Sequence, residues 1–424
     1  MTIFHFALTS SEQTRRTLWQ ILTGHRAVFA YLVILLAALI ALMLIMILKY
    51  ARDMKAREAE RKKLKEKRRF SRLCALDEQR KKAGRPQFDD NVSLSGLCGK
   101  FRDFAAAEMG LYYEESVIRA FVSSLAVSRL VIMQGISGTG KTSLSYAFGK
   151  FLRHEASIVP VQPSWKDKTD MLGYYNEFTG NFTETELLCR LYEANDSDAV
   201  FITVLDEMNI ARVEYYFAEF LSVLELPELE SRKIEVISDT ADNDPELFDN
   251  GRLTVPDNVW FVGTANNDDS TLSISDKVYD RAMVIELQSR AKPFSAPHTE
   301  PVSISASYLS GLFTEAENEF PMSEEMKTKI ERIDAYLTSR LQITFGNRIM
   351  TQTLKFVPVF RACGGTEEQA VDLILSKKVL RKLEAQNPVY VSAQAEGLIS
   401  ELDRVFGEGV MTQCLSYVRR YVKL

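Results

Sequence analysis

"GISGTGKTS" (residues 135–143) is the stretch from which the rest of the chain is read. Two glycines bracket four residues, and a lysine and a hydroxyl side chain follow at once. Before it, "SRLVIMQ" (128–134) is a short apolar run that predicts a buried strand. After it, "SLSYAFGKFLRH" predicts a helix with Leu144, Phe148 and Leu152 on one face. A glycine loop between strand and helix is the setting in which the pattern G-x-x-x-x-G-K-[ST], Walker A, cradles phosphates. Gly135, Gly138 and Gly140 let main-chain N–H groups turn inward, and the helix N-terminus adds positive potential. Ile136, Ser137, Thr139 and Ser143 complete the loop. Lys141 is expected on the β- and γ-phosphates of a nucleotide, and the Thr142 hydroxyl on Mg²⁺.

Downstream, "AVFITVLDE" (199–207) is a β-branched and aromatic run ending in two carboxylates. Acids at the C-terminal tip of a buried strand stand beside the phosphate loop in open α/β sheets. Asp206 is expected to hold Mg²⁺ through water, and Glu207 to polarise the attacking water as general base. "NVWFVGTANNDD" (258–269) predicts another buried strand ending at polar residues, where Asn266 is placed to orient the water or touch the γ-phosphate. "SISDKVYDRAMVIEL" (273–287) predicts a short helix, Asp280-Arg281 and a further strand. Arg281 at the sheet edge is expected to reach a neighbouring subunit's nucleotide.

Walker A, "LDEMN", "GTANN" and "DRAMVIEL", in this order, resemble an AAA+ ATPase, and most closely the McrB and MoxR/midasin branch, in which "DE-x-N" follows the Walker B strand. "VQPSWKDKTDMLGYYNEFTGNF" (161–182) is similar to that branch's segment after the second strand. The likeness covers residues 115–385. It implies an α/β P-loop core with a parallel sheet, a C-terminal helical lid, and ATP with Mg²⁺ as cofactors. It further implies a homo-oligomeric ring, a hexamer by family expectation, working with a separate effector or substrate protein. Asn266 matches the sensor 1 position and Arg281 the arginine finger. In the lid segment "FGNRIMTQTLKFV", Arg348 resembles the nucleotide-binding sensor 2 arginine, with Arg340 and Arg361 as nearby alternatives. Two departures stand out. "DEMNIARVE" replaces the McrB pattern DEINRAN, and "ANNDDST" replaces the MNTADRS associated with GTP, so ATP is the default.

A second long feature precedes the motor. Residues 27–48 are 22 residues without a charge, spanning about 33 Å as a helix, enough to cross a bilayer core. Arg15, Arg16 and Arg26 precede the run, whereas Lys49, Arg52, Lys55, Arg57, Arg61, Lys62 and Lys63 follow it. The positive-inside rule then expects a single-pass protein of the inner (plasma) membrane, its N-terminus outside and its motor in the cytoplasm. "KYARDMKARE" where small residues would be needed argues against a cleaved signal peptide. Residues 51–82 read as a charged helix with Asp53/Arg57 and Glu58/Lys62 at i,i+4, either a solvated stalk or a basic surface held against anionic lipid. "KAGRPQFDDN" breaks it. The expected domains are an anchor (1–50), a basic helical linker (51–88), the nucleotide-binding core (89–290) and the lid with its helical extension (291–424).

The totals bear on partners. With 46% hydrophobic residues the chain can bury a large core. Net charge is −5, yet residues 51–85 alone carry +9, which leaves −14 elsewhere. An acidic motor is no obvious sink for nucleic acid. Cys74, Cys98, Cys189, Cys363 and Cys414 are scattered without CxxC or zinc-like spacing and read as reduced thiols. Pro256-Asp257 and "EEMK" (324–327) are the only traces of a nuclease pattern, and they fall in segments already assigned. Residues 233–259 predict a polar hairpin, a partner-touching insertion or a passive loop. Trp165, Tyr174 and Tyr175 are either pore-lining or core. Three functions follow: a membrane-anchored AAA+ motor remodelling or moving a partner macromolecule, a McrB-like restriction motor driving DNA toward a separate nuclease subunit, or a nucleotide-dependent scaffold, which the intact Glu207 disfavours.

Overall fold

The computed structural model describes residues 3–66, 68–82, 84, 86–266 and 271–422. They divide into two units, 1–67 with 241–243, and 68–240 with 244–424.

The first unit is one helix, Ile3–Glu66. No glycine or proline interrupts residues 25–66, so nothing breaks the backbone hydrogen-bond ladder across the apolar run. Among the described residues it is the one helix long and apolar enough to cross a membrane. Its side chains from Tyr31 to Leu48 are exposed.

Among the described residues the second unit carries the strands β1 Leu130–Gly135, β2 Ser157–Pro160, β3 Gly173–Asn176, β4 Asn181–Glu184, β5 Phe201–Asp206, β6 Lys233–Glu235, β7 Arg252–Thr254, β8 Val259–Ala265 and β9 Met283–Leu287. Five form a sheet in the order β2-β5-β8-β1-β9, with every pairing parallel. This is the expected α/β architecture. Because side chains alternate along a strand, Val131 and Met133 of β1 join one core with the helices Leu94–Met109, Glu115–Val127 and Lys141–Phe151 and the C-terminal helices. Leu130 and Ile132 join the other, beneath Glu186–Ala194 and Ala218–Val223. Both faces of the sheet are therefore covered.

The remaining strands form two antiparallel hairpins, β3–β4 and β6–β7. Gly173 opens the first at φ +101°, where a Cβ would lie 1.8 Å from the Thr183 carbonyl oxygen, so no larger residue fits. Trp165 packs edge-on against Tyr216 at 5.3 Å, and Arg69 lies over the Tyr175 ring at 5.7 Å. Tyr174 and the tip residue Phe178 stay exposed.

Residues 68–82 depart from the solvated linker expected of them. The helix Ile3–Glu66 is followed by a second one, Ser71–Lys82, which packs on the rest of the second unit. Phe70 is fully buried between Phe182 (4.7 Å) and Phe248 (5.1 Å). Arg69 pairs with Asp244 at 2.5 Å, and the Tyr192 hydroxyl donates to Asp77 at 2.6 Å. The Glu184 carboxylate accepts the N–H groups of Ser71, Arg72 and Leu73 at 2.8–2.9 Å, satisfying donors that a new helix leaves orphaned. The compact unit thus begins at Arg68 rather than after the Gly84/Pro86 break.

The C-terminal part is helical, as expected: Ala306–Glu319, Glu324–Leu341, Asn347–Ala362, Glu367–Ile374, Pro388–Phe406 and Thr412–Val422. Between Glu367–Ile374 and Pro388–Phe406 the chain leaves the α pattern, and Leu380–Ala385 is a 3-10 helix. Leu375–Val379 widens into a π-turn, which aims Lys377 and Lys378 at the sheet edge, a use common for such bulges near functional sites.

Candidate active site

The sheet brings the C-terminal ends of β1, β5 and β8 to one edge, since Gln134 pairs with Ala265 and Leu205 with Gly263. Phosphate loop, paired acids and Asn266 therefore meet there. Gly135, Gly138 and Gly140 all have positive φ (+145°, +78°, +95°), and a Cβ on Gly135 would strike the Leu287 carbonyl oxygen at 2.2 Å. Ile136, Ser137 and Gly138 are exposed at the loop's crest, and Thr139 donates to the Ile136 carbonyl at 2.9 Å. Lys141 is buried, its ammonium donating to the carbonyls of Gly135 (2.8 Å) and Ile136 (2.9 Å). Ser143 follows in the first turn of the helix Lys141–Phe151.

The Thr142 hydroxyl donates to Asp206 Oδ1 at 2.7 Å. A hydroxyl and a carboxylate in contact at the foot of the phosphate loop fit Mg²⁺, a hard cation that prefers oxygen donors and few protein ligands. The Thr264 hydroxyl donates to the same Asp206 oxygen at 2.8 Å and accepts the Glu207 N–H at 2.8 Å. Glu207 sits at φ +53°, a left-handed conformation uncommon for a non-glycine residue. The turn leaves its side chain exposed at the cleft while Asp206 is half-buried. Such local strain clusters at functional sites.

Asn209, the asparagine of "DEMN", is buried and fastens the neighbouring turn. Its Nδ2 donates to the carbonyls of Asn266 (2.9 Å) and Leu272 (3.2 Å), and its Oδ1 accepts the Asn266 N–H at 3.4 Å. Residues 267–270, the rest of the sensor segment, lie outside the described residues. Two further contacts brace the phosphate loop. The buried Tyr113 hydroxyl donates to the Gly140 carbonyl at 3.0 Å, and burial pushes its ionisation well up. Arg290 donates to the Gly138 carbonyl at 2.6 Å.

Arg281 stands at the other end of the sheet. β9 runs parallel to β1 with Met283 opposite Val131 and Leu287 opposite Gly135, so Arg281 lies about 20 Å from its own phosphate loop, six residues at strand rise. Its Nε is 2.7 Å from Glu225 Oε2. Arg348 is in the same place, Nη2 2.9 Å from Glu225 Oε1. By its sensor 2 resemblance Arg348 is expected among the nucleotide-binding residues, with those of the phosphate loop. The structure instead seats it with Arg281, because the helix Asn347–Ala362 begins beside that end of the sheet. Arg129, Arg232, Arg281, Arg348 and Lys355 line this crevice of about 590 Å³ against the acids Glu225 and Asp257. A surplus of cations in an acidic chain favours an anionic occupant. Burial brings the Arg129 guanidinium, stacked 4.3 Å over Trp260, down to about 10.

The main chain around Arg281 is clamped from the helical part. Lys378 Nζ donates to the carbonyls of Tyr279 (2.7 Å), Asp280 (3.2 Å) and Ala282 (2.6 Å), and Gln352 donates to Asp280 O at 3.2 Å. Burial pushes the Lys378 ammonium down to about 7. Thr264, Asn209, Glu225 and Lys378 escape a reading of the sequence. Thr264 and Asn209 lie inside quoted motifs and were legible in principle. Glu225 and Lys378 carry no local signal.

No family profile matches the chain. It is 23% identical over 173 residues to the type IV methyl-directed restriction enzyme EcoKMcrB subunit of Escherichia coli strain K12, a stretch covering 39% of this chain and 36% of that relative. The chain thus spans about a third of the length of the curated relative it matches. A solved structure described as a "putative ATPase" from Cytophaga hutchinsonii aligns over 73% of this chain and 92% of that one, at 13% identity and a TM-score of 0.46. The relative matched by sequence is thus a McrB subunit, one of the proteins that the ordered motifs resemble.

Proposed function

We propose that this chain is a membrane-anchored AAA+ ATPase that hydrolyses ATP within a ring and thereby remodels or moves a partner macromolecule. The observation carrying the reading is the chain of contacts from Thr142 through Asp206 and Thr264 to Glu207. Lys141 exchanges its loop carbonyls for the β- and γ-phosphate oxygens of the bound nucleotide. Thr142 and Asp206 hold Mg²⁺, which neutralises phosphate charge when bound. Asp206 Oδ1 already accepts two hydroxyls, which leaves the exposed Glu207 as the carboxylate available to a water. Glu207 takes the proton of that water as its oxygen attacks the γ-phosphorus, the bond to the β,γ-bridging oxygen breaks, and ADP and phosphate leave. Asn266, its main chain held by Asn209, is assigned the orientation of the same water.

Arg281 and Arg348 serve the nucleotide of an adjoining subunit, since their own phosphate loop is a sheet length away. That requirement is the argument for a ring. The apolar helix anchors the assembly in the inner (plasma) membrane, N-terminus outside, and the motor works on a separate effector or substrate protein in the cytoplasm. Purification of a Glu207→Gln full-length protein with ATP present tests the function: a specific protein retained with ATP and released without it supports it. Protease added to intact cells tests the anchor, for cleavage between Arg61 and Arg69 would reverse the orientation.

Similarity to a restriction-enzyme subunit favours a second reading, a motor that drives DNA toward a nuclease on another chain, with ATP or GTP. DNA binding that weakens steeply with salt would support it. Its absence leaves the protein-remodelling reading.

A further inference from the structure

Glu225 follows the short helix Ala218–Val223 and lines the basic crevice. Its carboxylate is divided between two guanidiniums, with Oε2 on Arg281 and Oε1 on Arg348. The two arginines come from different parts of the chain, one from the turn before β9 and one from the first turn of the helix Asn347–Ala362. Among the described residues neither has another ion pair. Arg281 Nε meets the carboxylate off the line that a hydrogen bond needs, and Nε and Nη1 are both buried without a hydrogen-bond acceptor. The Arg281 fork is therefore held by charge, with its donors still open to an acceptor of better geometry.

One carboxylate cannot neutralise two guanidiniums, so the pair retains a positive charge that a phosphate oxygen can claim. A phosphoryl group offers three equatorial oxygens to two planar forks, whereas Glu225 offers two oxygens already split between them. Glu225 beside that phosphoryl group would be a like charge at short range. The competition has a direction: the carboxylate holds the arginines when no phosphate is present and opposes the phosphate when it arrives.

We propose that Glu225 is a positioning residue, a counter-ion latch that holds Arg281 and Arg348 together in a subunit without a neighbour and gives them up to the γ-phosphate of an adjoining subunit. The inference rests on the reading that Arg281 acts in trans. It assigns Glu225 a regulatory role: the latch sets how much neighbour and how much nucleotide are needed before hydrolysis begins. Its removal is expected to ease assembly-linked activity without raising the limiting rate.

The test uses full-length protein in detergent, with turnover per subunit measured against protein and ATP concentration for wild type, Glu225→Gln, Glu225→Asp and Arg281→Ala. Glu225→Gln keeps the shape and removes the charge. Its half-maximal activity is expected at a protein concentration about fivefold lower than wild type, with a lower KM for ATP and a plateau within about twofold. Glu225→Asp, which retains the charge, is expected to stay near the wild-type curve. Glu225→Ser, a small polar side chain at a one-third-exposed position, should shift as Glu225→Gln does, and it substitutes for that variant should the latter not fold. A plateau more than tenfold down at an unchanged midpoint overturns the latch, because Glu225 would then be needed in the transition state. A Glu225→Gln curve superimposed on wild type also overturns it. If Arg281→Ala turns over at the wild-type rate, the trans reading itself fails. If Arg281→Ala is inactive and Glu225→Gln is unchanged, only the latch fails.

Discussion

The Thr264 hydroxyl donates to Asp206 at 2.8 Å while accepting the main-chain N–H of Glu207 at the same distance. One side chain on β8 therefore sets both the acid expected at the metal and the acid expected to act as base on β5. Replacing it with valine, similar in shape and unable to hydrogen bond, leaves the Glu207 amide and one Asp206 site without a partner. An unmet polar group costs about 1–3 kcal/mol. Turnover by Thr264→Val is expected to fall about ten- to hundredfold with ATP affinity retained and a higher Mg²⁺ requirement, and Thr264→Ser should recover it. Equal activity of the valine and serine variants would remove Thr264 from the site.

Lys141→Ala is expected to abolish nucleotide binding. On the proposed reading, the buried ammonium now satisfied by the Gly135 and Ile136 carbonyls is the charge partner of the incoming phosphates. Equilibrium binding of a fluorescent ATP analogue checks this, and wild-type affinity would remove the phosphate-loop assignment.

Glu207→Gln is expected to bind ATP and to turn over at least about a hundredfold more slowly, the scale of a lost general base. Single-turnover hydrolysis is the measurement. An unchanged rate moves the base elsewhere.

Arg281→Ala should leave binding near normal and collapse turnover. A mixture with Glu207→Gln subunits should recover part of the activity, because an intact Glu207 site then meets an intact Arg281 from its neighbour. A variant that is inactive and never recovered by mixing points to a role within one subunit.

Lys378 carries a pH signature. Its ammonium is held down to about 7 by burial, helped by Arg381, Arg348 and Lys382 and opposed by Asp280, whereas an unfolded lysine titrates near about 10.4. Between those values the unfolded chain binds more protons, so stability from this group rises with pH. Below about 7 both states are protonated and the cost of burying the charge is fully present. Unfolding free energies from denaturant titration, wild type minus Lys378→Met, are expected to climb between pH 7 and 9, at most about 1.4 kcal/mol per pH unit. A flat difference would mean that Lys378 stays charged on its three carbonyls throughout.

Much of the α/β unit and of its candidate site could be read in one dimension, because the signals are local. The strand before Gly135, the glycines that need positive φ, the carboxylates ending β5 and the uncharged run at 27–48 each fit within a window of about twenty residues. Within such a window, alternation and backbone sterics dictate the outcome. The linker misleads for the same reason. Its i,i+4 charge pairs describe a solvated helix, whereas Phe70 and Arg69 find partners at Phe182, Phe248 and Asp244, more than a hundred residues downstream. Arg348 resembles a nucleotide-binding arginine by motif, yet its position depends on where a helix docks against a sheet. Glu225 and Lys378 are unremarkable letters until Arg281 is folded against them. Local order along the chain settles strands, turns and phosphate-binding loops. The pairing of distant charges, and with it where Arg281 and Arg348 stand, comes from packing, because a charge takes its partner from space and not from sequence.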